Sequence, residues 1–319
     1  MAVYTQVSAE QLVELLARFD LGELVSAKGI AEGVENSNYI VDTTVSRLIL
    51  TLYEKRVDVA DLPFFLAMLD HLAARGLPVP RALGDRQNVQ IQEVAGRPAC
   101  LIEFLPGVSV SHPTPEHAQA TGQALGRMHA ALGDFTLERQ NSLGPTGWRD
   151  LAERCGGDLD AISPGLQADI IAELDALDAC WPADLPRSAI HADLFPDNVL
   201  MLGETVAGVI DFYFACTDIR AWDLAVTHTA WCFSSDGLGY DPALGRALIA
   251  GYDSAFPLSS QERDAFVILA RGACVRFLLT RAWDWLNTPA DALVTRKDPM
   301  AFHRRLNFYR DADAVSLGL

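Results

Sequence analysis

Asp193, Asn198 and Asp211 are the residues whose types and spacing could do chemistry together. The first two sit in I-H-A-D-L-F-P-D-N-V-L (190–200), and the third comes later in I-D-F (210–212). Between them, V-L-M-L, G-E and T-V-A-G-V-I form two apolar runs around a short Gly-containing turn, which predicts a β-hairpin. A hairpin returns its outer ends to one place. Asn198 at its entry and Asp211 just past its exit are then diagonal neighbours, roughly 7–8 Å apart at the backbone. One amide oxygen and one carboxylate, completed by water and phosphate oxygens, suit Mg²⁺, which seldom takes an all-protein cage. Asp193, on the loop entering the hairpin, can meet a substrate hydroxyl beside that ion. Phosphoryl transfer asks for this arrangement, because its demands are in-line placement and neutralisation of charge.

The elements that must hold these groups are legible as a change of texture along the chain. Ser8 and Gln11 make a capping-box pattern before Leu12, Leu15, Leu16 and Phe19 at helical spacing. Residues 29–41 and 47–53 read as strand, turn, strand, and a helical pattern over 62–75 stops at Gly76. Two further strands are predicted over 88–94 and 99–104. Beyond L-P-G, Thr114 and Pro115 open a helix through Leu132, and most of the chain past the hairpin has helical periodicity. His129 falls among Leu125, Met128 and Leu132 and reads as a satisfied core histidine.

Bulk properties exclude several classes. A chain of 319 residues can bury one large core or two smaller ones. With 50% apolar and 21% charged residues, neither disorder nor a coiled coil is indicated. The net charge of −17 repels phosphate backbones and anionic lipid, so neither nucleic acid nor a membrane is the expected partner. The start M-A-V-Y-T-Q has no secretory pattern, and no apolar run is long enough to span a bilayer. The six cysteines lack metal-ligand spacing and read as reduced thiols.

H-A-D-L-F-P-D-N (191–198) and D-F-Y (211–213), in this order and a hairpin apart, resemble the catalytic loop and metal-binding Asp of the kinase-like fold, in the branch of aminoglycoside phosphotransferases, choline kinases and homoserine kinases. G-I-A-E-G-V-E-N-S-N-Y (29–39), L-I-L-T-L-Y-E (48–54), L-P-F-F (62–65), G-L-P-V-P (76–80) and I-D-F-Y-F-A-C-T-D (210–218) narrow the resemblance to the homoserine kinases of that fold. C-V-R-F-L-L-T-R (274–281) and K-D-P (297–299) extend it over nearly the whole chain. It implies an α+β, bilobal protein-kinase-like fold. A small antiparallel-sheet N-lobe (1–104) would cover the nucleotide, and a larger, mostly helical C-lobe (105–319) would carry the catalytic loop and substrate pocket. The implied activity is transfer of the γ-phosphoryl group of ATP, with Mg²⁺, to the side-chain hydroxyl of L-homoserine, a cytoplasmic step toward threonine. Oligomeric state is left open.

By the same resemblance, Asp193 orients the hydroxyl and accepts its proton, while Asn198 and Asp211 carry the metal. His191 packs beneath the loop, and Asp223 anchors that loop or caps the following helix. Backbone groups of Glu103 to Leu105 would meet the adenine edge. Gly33, Asn36, Ser37 and Asn38 would belong to the loop over the phosphates, which supplies backbone N–H donors. A zwitterionic acceptor needs a cation for its carboxylate and an acid or carbonyls for its amine. Arg276 and Arg281 are candidates for the first, with surface or structural ion pairs as their alternative reading. Trp231 and Asp284 are placed along the same cleft.

Two departures stand out. Kinases of this fold carry a strand lysine against the phosphates, but Thr51 occupies the expected position, and the chain has only three lysines, Lys28, Lys55 and Lys297. Lys55 shares the parity of Thr51 yet lies about 13 Å further along an extended strand. Thr229-Ala230-Trp231-Cys232 also stands where the family often shows N-x-W-C. These leave open a kinase for another small alcohol, such as an aminoglycoside, choline or methylthioribose, and a catalytically silent nucleotide-binding module. A metal-dependent hydrolase lacks its H-x-H or carboxylate cluster.

Overall fold

Ser8 and Gln11 close the expected reciprocal cap, and the helix α1 (Ala9–Leu16) begins there. Leu12, Leu15, Leu16 and the following Phe19 pack with Tyr39, Val41, Leu48, Leu50, Leu52, Val94, Ala99 and Leu101 into one apolar cluster. The strands contributing to it are β2 (Ser37–Thr43), β3 (Arg47–Leu52), β4 (Gln92–Val94) and β5 (Arg97–Glu103). With β1 (Leu24–Gly29) they form a five-stranded antiparallel sheet in the order β1-β2-β3-β5-β4. The helix α2 (Leu62–Ala74) buries Leu62, Phe64, Phe65, Leu66, Met68, Leu69 and Leu72.

The computed structural model describes residues 4–30, 36–54, 57–288 and 296–319. The chain divides into two compact units, Met1–Pro106 and Gly107–Leu319. In the first, two expectations are corrected. β1 is an additional strand, hidden in the sequence because its mostly exposed L-V-S-A-K-G lacks the alternation that marks a half-buried strand. The strand expected over 88–94 is confined to Gln92–Val94, since the Asp85 carboxylate accepts the N–H groups of Gln87 and Val89 (both 2.9 Å) and holds a turn with Asn88 at φ 63°. Gly33 and Lys55 lie outside the described residues.

The second unit opens with α3 (Pro115–Ala131), capped by Thr114 with Pro115 in its first turn. α4 (Pro145–Cys155), the short α5 (Leu159–Ile162) and α6 (Leu166–Cys180) come next. The predicted hairpin is β7 (Val199–Leu202) paired with β8 (Thr205–Val209). A second small sheet, β6 (Arg187–Ile190) with β9 (Cys216–Ile219), brackets it. The helices α7 (Arg220–Trp231), α8 (Pro242–Ala255), α9 (Ser260–Asn287), α10 (Met300–Asp311) and α11 (Ala314–Leu317) complete the unit. No helix among the described residues is long and apolar enough to cross a membrane.

Helix packing in this unit fixes the depth at which polar groups lie. A Cβ at Gly122 of α3 would stand 2.0 Å from the Leu248 carbonyl oxygen of α8, and one at Gly251 of α8 would stand 2.1 Å from that of Gln119. Only glycine permits that approach, which brings His129 of α3 to Tyr252 of α8 at 2.8 Å. α7 is buried from Ala221 to Trp231 and carries His228, whose Nδ1 lies 2.5 Å from the Tyr309 hydroxyl.

Burial pushes the His228 pKa down to about 3 from an ordinary 6.5. Between those values the unfolded chain binds a proton that the folded one refuses. Stability therefore rises with pH through this window and is lost as pH falls below 6.5. The contribution is at most about 1.4 kcal/mol per pH unit. Urea unfolding between about pH 7 and pH 5 should show this slope, and His228→Gln should make it shallower whatever its absolute stability.

Candidate active site

The loop entering the hairpin is fastened through its backbone. The Asp223 carboxylate, fully buried in the first turn of α7, accepts the N–H groups of His191 (2.8 Å) and Ala192 (2.7 Å). His129 Nε2 lies 3.0 Å from the same carboxylate, and its Nδ1 faces Tyr252, so the chain of contacts runs from α8 through α3 and α7 to the loop. α7 has no side-chain cap, and Asp223 spends its oxygens on the loop. Burial alone would raise the Asp223 carboxyl pKa. The hydrogen bond from His129 and the neighbouring histidines outweigh it and hold the group below the usual carboxylate value.

Ala192 sits at φ 63°, a left-handed conformation that a residue with a Cβ seldom adopts. Both of its backbone groups are pinned, the N–H by Asp223 and the carbonyl by Arg276 Nη1. The turn aims the next residue, Asp193. His191 braces it from below: its ring lies 3.0 Å from the Ile210 carbonyl at Nε2 and accepts the Asp193 N–H at Nδ1 (3.2 Å). These partners require a neutral ring protonated on Nε2, and burial lowers the pKa of His191 accordingly. Trp231 Nε1 donates to the Leu194 carbonyl at 2.9 Å. The Asn198 side chain donates to the Asp193 carbonyl (2.8 Å) and to Asp193 Oδ2 (3.2 Å). These contacts occupy backbone polar groups that a buried loop would otherwise leave unsatisfied, and they restrain the loop.

The hairpin aligns the remaining group. β7 and β8 pair Val199 with Val209, and the Ile210 N–H reaches the Asn198 carbonyl at 3.0 Å, which leaves Asp211 on the diagonal from Asn198. Asp211 is also left-handed, at φ 65°, so the chain turns away from the strand at that carboxylate. With its amide nitrogen spent on Asp193, Asn198 offers Oδ1 outward, and among the described residues that oxygen has no hydrogen-bond partner. An amide oxygen beside a carboxylate is the hard-oxygen donor set that a divalent ion such as Mg²⁺ accepts. Among the described residues no group of three or more His, Cys, Asp or Glu side chains gathers as a cage.

Asp193 lies at the junction of these contacts. Burial raises its pKa, opposed by Arg276, whose Nη2 is 3.8 Å from Oδ1, and by His191. A carboxylate so placed is a stronger base than a solvated one.

A sequence profile of the phosphotransferase enzyme family matches residues 26–258. A homoserine kinase of Zymomonas mobilis is 56% identical over 321 residues and covers all of both chains. One from Xanthobacter autotrophicus is 51% identical, covering 99% of this chain and 98% of its own. The chain belongs to the homoserine kinases of the phosphotransferase enzyme family. Solved structures agree on the kinase-like fold. An amicoumacin kinase in complex with AMP-PNP and Ca²⁺ has a TM-score of 0.71 at 14% identity, covering 96% of this chain and 94% of its own. A microcompartment-associated aminopropanol kinase has a TM-score of 0.65 at 19% identity, covering 98% and 95%.

The other site residues expected of this homoserine kinase family member are spread over both units. Arg276 is 1% exposed and faces the loop, with its guanidinium over the ring of Phe277 at 4.4 Å. Trp231 is likewise buried behind the loop. Arg281 and Asp284 lie partly exposed in the last turns of α9. In the first unit, Asn36 Oδ1 accepts the Glu54 N–H (3.4 Å), Ser37 Oγ donates to Glu54 (2.8 Å), and Asn38 Oδ1 accepts the Thr51 hydroxyl (2.8 Å). The position expected for a lysine is therefore a buried neutral hydrogen bond. Glu103 binds Arg81 through backbone and carboxylate, with Leu105 two residues on. Sequence reasoning missed Arg276 as a loop fastener. Its signal is a lone charge inside the apolar run C-V-R-F-L-L, which reads as burial.

Removing the Asp223 carboxylate strands two backbone donors and a histidine in the interior. Asp223→Ala should lower the unfolding free energy by about 3–5 kcal/mol, read from urea unfolding, with Asp223→Asn intermediate because it keeps one acceptor oxygen.

Proposed function

We propose that the protein transfers the γ-phosphoryl group of ATP to the side-chain hydroxyl of L-homoserine, giving O-phospho-L-homoserine. The observation that carries the mechanism is the contact of Asn198 with Asp193 at the mouth of the hairpin that ends in Asp211. Asp193 orients the acceptor hydroxyl and takes its proton. The hydroxyl oxygen bonds to the γ-phosphorus as the bond to the bridging oxygen breaks, and ADP departs with that electron pair. Asn198 Oδ1 and the Asp211 carboxylate would hold Mg²⁺, which supplies neutralisation of charge on the phosphate oxygens.

The protein's own contribution is placement. His191, Asp223, Arg276 and Trp231 set the loop, and a nucleophile held within near-attack distance needs little further catalysis than charge stabilisation. On the family pattern, backbone N–H groups of Asn36, Ser37 and Asn38 would serve the nucleotide phosphates and backbone groups from Glu103 to Leu105 the adenine edge, while the Gly33 expected with them lies outside the described residues. Asp284 serves the acceptor amine. The acceptor is a small molecule, and the enzyme works in the cytoplasm without nucleic acid or membrane.

ADP release measured with homoserine tests the reading. Asp193→Asn should lower kcat by about 10²–10⁴-fold with a similar KM for homoserine, as expected for loss of a base that acts in the transition state. Asp211→Asn should instead raise the Mg²⁺ concentration required for half-maximal rate. Turnover of another alcohol in place of homoserine would reassign the acceptor.

A further inference from the structure

Among the described residues, two arginines of the second unit lack the counter-charge that burial normally demands. Arg305 of α10 is 4% exposed and, with Arg276, is one of the two arginines in the buried interior. Arg276 has Asp193 beside it. Arg305 donates to the Ser234 carbonyl at 3.1 Å, its Nε is buried without a partner, and no carboxylate among the described residues is within ion-pair distance. Arg281, which is partly exposed, is open in the sense of charge alone: it donates to the Asp298 carbonyl at 3.4 Å and makes no carboxylate ion pair among the described residues.

Both guanidiniums lie on one ring. Arg305 is 4.4 Å and Arg281 4.5 Å from the centroid of Phe302. The ring face offers partial compensation only. Burial, then the charge of Arg305, push the Arg281 pKa down to about 10, and burial lowers that of Arg305. The amino end of α10, at Met300, adds a like-signed dipole. Asp193, Asp298 and Asp197 oppose these effects at Arg281 without neutralising it. In a chain with 42 acidic and 25 basic residues, a nearby carboxylate would be an easy substitution, yet the pair stays open.

The open pair borders the catalytic loop. Phe302 stacks on Phe277 at 5.0 Å and lies 6.2 Å from Phe195, two residues past Asp193. Lys297, just ahead of α10, is 3.9 Å from Asp197 of the same loop. A planar, permanently charged fork is the side chain suited to a carboxylate. The geometry points to Arg281 and Arg305, flanking Phe302, as the subsite for the α-carboxylate of the amino-acid acceptor, with Arg305 the specificity-determining residue. This rests on the homoserine reading and names the group that separates an amino acid from a simple amino alcohol.

The test compares L-homoserine with 3-amino-1-propanol, which keeps the hydroxyl and the amine and lacks the carboxylate. In Arg305→Met and Arg281→Gln, KM for homoserine should rise about 10- to 100-fold each, the loss expected for a charge-assisted hydrogen bond. The kcat, the KM for ATP and the kcat/KM for 3-amino-1-propanol should stay within about threefold, and Arg305→Lys should recover part of the loss. Should Arg305→Met fail to fold, Arg281→Gln and Arg305→Lys carry the same comparison. Equal losses with both acceptors, or none, would overturn the subsite while leaving homoserine phosphorylation intact. A rise in the KM for ATP alone would make the bound anion a phosphate and overturn it likewise. An unaltered enzyme inactive on homoserine would remove the functional reading itself.

Discussion

One buried carboxylate governs the active loop. Asp223 holds the N–H groups of His191 and Ala192, and its own charge is stabilised by His129, which Tyr252 orients. Asp223, His129 and Tyr252 come from three different helices, α7, α3 and α8, and glycines at 122 and 251 let α3 and α8 touch at the backbone. A buried charge is tolerable only when its lone pairs are filled. Here the filling groups are the backbone of the catalytic loop, so the condition that stabilises Asp223 is the same one that shapes the site.

That coupling explains how a left-handed alanine persists. Ala192 at φ 63° is strained by roughly 1–2 kcal/mol relative to an ordinary conformation. The two hydrogen bonds on its flanks, one to a carboxylate and one from a guanidinium, are of a size to offset that cost. Asp211, also left-handed, terminates the hairpin under a similar constraint, with the His191 ring set against the Ile210 carbonyl just before it. Of the four left-handed non-glycine residues among those described, Asn88 and Ala95 lie in turns of the first unit, whereas Ala192 and Asp211 adjoin the groups that would handle phosphate.

Local patterns in the sequence carry the hairpin, the capping boxes at Ser8 and Thr114, the helix ending before Gly76 and the spacing of Asp193, Asn198 and Asp211, because each is decided within a few residues. The fasteners are decided at long range. Asp223 is 32 residues from His191, Arg276 is 84 from Ala192, and His129 is 94 from Asp223. No periodicity links such pairs, and so Arg276 reads from sequence as equally suited to gripping a substrate. Short strands fail for a different reason. β6 and β9 have four residues each, too few to display alternation, and the mostly exposed β1 has no apolar face to declare.

The interior of the second unit therefore contains two kinds of buried polarity. Around Asp223 every charge meets a partner, and satisfied networks of that sort rigidify a core. At Phe302 two guanidiniums share a ring without a carboxylate among the described residues, a state that costs stability until an anion arrives. Arginine suits this better than lysine, since its charge is delocalised, weakly hydrated and not easily lost on burial. On the proposed reading the contrast would divide labour between neighbouring parts of one fold: the paired charges fasten the loop that carries Asp193, and the unpaired ones would leave part of their stabilisation to be completed by a ligand, converting a local deficit in the free protein into selectivity for the molecule that relieves it.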